Sequence, residues 1–235
     1  MTIFRLKQLA TTALQDAPRG VTWNYDRAEL WADGVVHIIG VCCGLIAAVV
    51  LIVLASVYLT GAQVAAVVIY ATGLLTMLGI SATYNLLPVS RWKWRLRRLD
   101  HSAIYVLIAA TYTPFIVQMK GSITAIVLLI AVWSVAAVGI VLKIALPGRF
   151  DKLSIALYLA MGWSGVMIYD TVVATLSPVT LGLIAAGGAL YSLGVIFHVW
   201  ERLRFQNAIW HAFVLLGAAC HYTAVLDLVL VRSLA

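Results

Sequence analysis

Of 235 residues, 63% are apolar and 11% charged. One soluble core of this size cannot hide that much hydrophobic surface, so most of it must face lipid. The formal charge of +7 then needs no nucleic acid to explain it, and its expected counterpart is the anionic headgroup layer on one face of a membrane.

In chain order, residues 1–28 read as a cytoplasmic N-terminal segment. Arg5, Lys7, Arg19 and Arg27 lie among polar residues without the continuous apolar run of a signal sequence. Ile3, Phe4, Leu6, Leu9 and Leu14 suit either a short surface helix or a solvated tail. Residues 29–235 read as one all-α membrane domain with seven transmembrane helices. About 20 apolar residues cross a hydrocarbon core of ~30 Å, and spans of that length are predicted over 34–60, 64–88, 100–119, 121–144, 153–175, 178–200 and 207–231. The runs lack the period-two alternation of a membrane barrel. With the N-terminus inside, fourteen of the sixteen Lys and Arg residues fall on the inner side, leaving Lys120 and Arg232 outside. Cytoplasmic loops retain basic residues, so the expected topology is N-terminus cytoplasmic and C-terminus extracytoplasmic, in a bacterial inner membrane.

Polar groups inside spans are costly, and their placement is the chief functional signal. Glu29, Asp33 and His37 share one face of the first helix at i, i+4, i+8. Ser81 and Asn85 repeat the spacing where the second helix ends, Asp100 and His101 open the third, and Asn207 and His211 open the seventh. Four helices thus bring polar stripes to one depth, just within the cytoplasmic boundary. Asp33, Asp100 and Asn207 also suit helix capping. His221, ten residues beyond His211, lies about 15 Å further along the axis and outside any shared ligand shell. Pro114 is expected to kink the third helix. Cys42, Cys43 and Cys220 show no metal spacing and read as small packing residues. Gly40-x-x-x-Gly44 reads as a close helix approach within the chain.

Three stretches, "ELWADGVVHIIG" (29–40), "SATYN" (81–85) with "LDHSAIYVLIAATYTPF" (99–115), and "NAIWHAFVLLGAACHY" (207–222), resemble the bacterial hemolysin III family, in the superfamily of progestin and adiponectin receptors. The resemblance implies seven helices with the same topology, and a zinc ion held near the cytoplasmic side by Ser-x-x-x-His and His-x-x-x-His motifs. Several members are thought to be zinc hydrolases of the ceramidase type. Here those positions read Ser81-x-x-x-Asn85 and Asn207-x-x-x-His211, so amides replace two of three ligands. An amide oxygen suits harder cations and binds zinc poorly.

The leading expectation is therefore a hemolysin III-type membrane protein acting in membrane homeostasis or lipid sensing through a cytoplasm-facing polar cavity that includes Glu29, His37, Asn85 and Asn207. Membrane lipids are the expected partners, with no nucleic acid, and self-association is left open. Cytolysis attaches to the family through its name. The alternative is a zinc-dependent lipid amidase with Ser81 and Asp100 as catalytic groups and His211 as a metal ligand. No cofactor is expected in the first reading, zinc in the second.

Overall fold

The computed structural model describes residues 25–146 and 148–233; the segment with the candidate surface helix lies outside them. The described residues form helices and no strands. They are α1 (Arg27–Tyr58), α2 (Ala62–Leu86), α3 (Arg91–Gln118), α4 (Ile123–Ala145), α5 (Asp151–Trp163), α6 (Tyr169–Thr175), α7 (Pro178–Val199) and α8 (Gln206–Ser233), with a 3-10 segment, Ser164–Ile168, joining α5 to α6.

Local chemistry sets the helix starts. Asp26 and Glu29 close a reciprocal capping box: the Asp26 carboxylate accepts from Glu29 N and the Glu29 carboxylate from Asp26 N. Ser90, Ser122 and Ser177 cap α3, α4 and α7, with Pro178 in the first turn of α7. The end of α2 is capped from outside. Lys93, buried at 1% exposure, donates to the carbonyls of Tyr84, Asn85 and Leu87 at 2.8, 3.2 and 2.7 Å, satisfying acceptors that the helix leaves open. Burial lowers its ammonium pKa to about 8.

Six helical stretches are long and apolar enough to cross a bilayer: α1, α2, α4, the α5–α6 stretch, α7 and α8. The expected third span, 100–119, does not stand apart. It is the distal part of α3, whose first turns carry Arg91, Lys93, Arg95, Arg97 and Arg98. Pro114 does not end α3, which continues to Gln118.

The expected fifth span is broken at Ser164–Ile168. A break inside lipid exposes backbone groups that must find partners in the protein. Tyr112 supplies them. Its hydroxyl lies 2.8 Å from Met161 O and 3.0 Å from Gly162 O, and accepts from Gly165 N at 2.9 Å and Ser164 Oγ at 3.1 Å.

Helix α1 packs between α2 and α8, α3 between α2 and α4, and α8 between α1 and α7, while α5 lies against α3, α4 and α7. The inward stripe of α1 is Asp33, Gly34, His37, Gly40, Gly44, Ala48, Leu51 and Ala55: polar at its start, then small, so neighbouring backbones approach closely. A Cβ on Gly44 would collide with Leu78 of α2, which gives Gly40-x-x-x-Gly44 its intramolecular role. Cys42 and Cys43, expected as packing residues, instead face outward, because the stripe passes through Gly40 and Gly44 on the opposite side. At the basic end, Asp151 pairs with Lys143 (2.5 Å) and Arg97 (3.3 Å), tying α5 to α4 and α3.

Candidate functional site

The start of α1, the end of α2 and the start of α8 meet in one buried polar cluster. Asp33 is its hub. Its Oδ1 lies 2.6 Å from His211 Nδ1, and its Oδ2 accepts from Asn207 Nδ2 at 3.0 Å and lies 3.6 Å from His37 Nε2. The His37 and His211 rings are 4.4 Å apart between centroids and tilted by 57°. Asn207 Nδ2 also reaches Asn85 Oδ1 at 3.3 Å, and Asn85 Nδ2 donates to Ser81 O at 3.0 Å. The two amides thus form a bridge from α2 through α8 to the Asp33 carboxylate on α1. A low-dielectric setting makes a network of this kind costly to break.

Beside the cluster opens a cavity of about 150 Å³. His37, Ser81, Asp100 and His211 line its polar end, and apolar residues such as Met77, Ile104, Leu107 and Val214 continue it along the bundle. Further along, the lining includes Tyr191 of α7 and His221 of α8.

The sequence-predicted residues therefore fall into three groups. His37, Ser81, Asp100 and His211 share the cavity. Asn85 and Asn207 stand behind it, joined to each other and to Asp33. Glu29, expected to line the cavity, has its carboxylate engaged elsewhere: besides the capping box, it accepts from Phe205 N at 3.0 Å, so it fastens the entry of α8 to the start of α1. Phe205 holds a left-handed backbone with φ of 60°, a conformation uncommon for a bulky residue and here tied down by that bond. His198, beyond the cluster on α7, packs against Trp210 with centroids 4.9 Å apart.

Asp33 is the residue that sequence reasoning underweighted. Capping was one reading of it, but the capping residue is Asp26, and Asp33 lies two turns inside the helix. The signal was its i, i+4 spacing to His37. Together Asp33, His37 and His211 place one ligand atom each within 4.8 Å of one another, an arrangement able to hold a metal ion. His37 Nε2 is buried without a hydrogen-bond partner, as a nitrogen kept for a ligand would be.

A multi-pass helical membrane protein with a buried polar cluster at one end of an intramembrane cavity is what fold and site define. The chain belongs to the haemolysin-III related family, whose model matches residues 28–222. It is 40% identical over 196 residues to a hemolysin-3 homolog of Bacillus subtilis, covering 83% of this chain and 92% of the relative. It is 37% identical over 200 residues to hemolysin-3 of Bacillus cereus, covering 85% and 91%. The human monocyte to macrophage differentiation factor is 30% identical over 165 residues, 67% of each chain, and extends the relationship to the progestin and adiponectin receptor superfamily.

Proposed function

We propose that this protein spans the inner membrane of a bacterium seven times, N-terminus cytoplasmic and C-terminus outside, and takes a lipid-like amphiphile into its cavity in the service of membrane homeostasis or lipid sensing. The distal part of α3 supplies the seventh crossing, and the strong bias of basic residues to one side supports the orientation. The observation that carries the reading is the continuity of the cavity: a polar end at His37, Ser81, Asp100 and His211 opens directly into an apolar interior. That is the shape of a headgroup site with room for a tail. Two carboxylates, Asp33 and Asp100, near the polar end favour an uncharged, hydrogen-bonding head. Native mass spectrometry tests this. Protein purified in mild detergent should retain lipid, and Ile108→Trp, which fills the apolar part, should lose it. Equal lipid retention by both proteins would refute the cavity reading.

A second reading is favoured by Asp33, His37 and His211. The family's three-histidine ligand set is absent, since Asn85 and Asn207 stand at two of its positions, but a carboxylate and two imidazoles suit zinc. Zinc held there would supply Lewis-acid activation of water for a lipid amidase. In that reading Asn207, bonded to the Asp33 carboxylate, orients a ligand, and Ser81 and Asp100 handle the proton and the substrate carbonyl. Elemental analysis decides: about one zinc per chain in the parent and none in His37→Ala supports a metal site, whereas no zinc in protein purified without chelators removes it.

A further inference from the structure

We infer that the far end of the cavity contains a second recognition point, His221, which reads a hydroxyl carried part-way along the tail of the bound amphiphile. The inference rests on the proposed lipid site and names the chemistry that distinguishes one lipid from another within it.

His221 sits well inside α8, where an imidazole is costly unless it has a use. Its ring stacks on Tyr191 of α7, with centroids 5.3 Å apart and planes at 13°. Two glycines make that pairing possible. A Cβ on Gly187 would lie 2.6 Å from His221 Cε1, and one on Gly217 would lie 3.0 Å from the Tyr191 ring. Packing therefore fixes the ring against both helix backbones, yet packing alone would be served by a phenyl ring.

The hydrogen bonds say what the nitrogens do. His221 Nδ1 lies 3.0 Å from Gly217 O. A carbonyl only accepts, so Nδ1 carries the proton and, in the neutral ring, Nε2 is left as an acceptor. Gly217 O is the carbonyl that the α-helix already pairs with the backbone N–H of residue 221, so the side-chain bond is not needed to satisfy it; its effect is to set the tautomer. Nε2 meets no protein donor among the described residues. Thr111 Oγ1 and Ser192 Oγ, which also line the cavity, donate elsewhere, to Leu107 O and Gly188 O. The cavity thus presents a fixed, unused acceptor in apolar surroundings, where a ligand donor gains most.

His211 at the polar end and His221 are ten residues apart on one helix, about 15 Å of rise. With C–C bonds of ~1.5 Å in a zigzag, that distance spans about twelve carbons of an extended chain. The ligand class is an uncharged-head lipid with a mid-chain hydroxyl.

The test uses the full chain in detergent and two probes, the 1-monoglycerides of stearic acid and of 12-hydroxystearic acid, with affinities measured by native mass spectrometry. The parent should bind the hydroxylated probe about five- to tenfold more tightly, the worth of one net hydrogen bond. His221→Phe keeps the stack and should abolish the preference, so that it binds the two probes alike. His221→Gln, which retains an acceptor, should keep part of the preference. Equal affinity of the parent for both probes, or an unchanged preference in His221→Phe, overturns the inference. A hydroxyl-position series on the parent needs no variant: the preference should peak near carbon 12, and a flat series also overturns it. Binding of neither probe would instead remove the lipid-site reading on which the inference stands.

Discussion

Asp33→Ala is the most informative single change to the polar cluster. The carboxylate accepts from two side chains of α8, at 2.6 Å from His211 and 3.0 Å from Asn207, and is buried at 5% exposure. Its loss strands both groups. A hydrogen bond to a charged partner contributes about 1.5–3 kcal/mol, and an unsatisfied buried donor costs a similar amount, so two such bonds give a destabilisation of about 3–5 kcal/mol. At roughly 2–4 °C per kcal/mol for a chain of this size, the midpoint in a fluorescence or scattering melt should fall by about 10 °C. The double-mutant cycle with Asn207→Ala should show a coupling of about 1 kcal/mol or more, since the residues touch. Zinc content measured on the same samples separates the structural role of Asp33 from metal ligation. A melt of Asp33→Ala within 2 °C of the parent would refute the argument that this carboxylate holds α1 to α8.

Asn85→His combined with Asn207→His should restore a three-imidazole set, because Asn207 Nδ2 already lies 3.3 Å from Asn85 Oδ1. Zinc at a hundredfold excess over its Kd should then stabilise the double variant by about 2.7 kcal/mol. Equal zinc stabilisation of the parent would show that metal already binds through other residues. Tyr112→Phe keeps the ring and removes every contact of its hydroxyl with Met161, Gly162, Ser164 and Gly165. A loss of about 2–3 kcal/mol and faster amide exchange at 161–168 are expected; unchanged exchange there would dissociate Tyr112 from the break. Lys93→Met should cost about 2 kcal/mol at pH 7 through three uncapped carbonyls. In the parent, with the pKa lowered by burial from 10.5 to about 8, the unfolded chain holds the extra proton between those values. Stability should therefore rise with pH from 8 to 10.5, a slope that melts of Lys93→Met should lack.

Helical spacing and span boundaries carry the depth at which polar residues gather, and the fold brings Ser81, Asp100, His37 and His211 to one cavity. Connectivity within the cluster was not legible in the sequence. Asp33 bonds to residues more than 170 positions away, and its i, i+4 spacing to His37 marks a shared face without marking which residue is the hub. Glu29 shows the converse: its spacing matched the stripe, but the left-handed turn at Phe205 brought a backbone donor to it first. The break at Ser164 escaped a hydropathy reading because the run stays apolar through it, and the group that stabilises the break, Tyr112, lies some fifty residues earlier in the chain.

The polar cluster joins the first of the described helices to the last, with Asp33 and His211 separated by 178 residues. This ordering has a consequence for biosynthesis. While the ribosome is still delivering the intervening helices, the α1 carboxylate lacks its α8 partners, and the arrival of α8 supplies them. Until residues 207 and 211 are made, Asp33 has only His37 of its own helix beside it, and the carboxylate lacks both α8 donors.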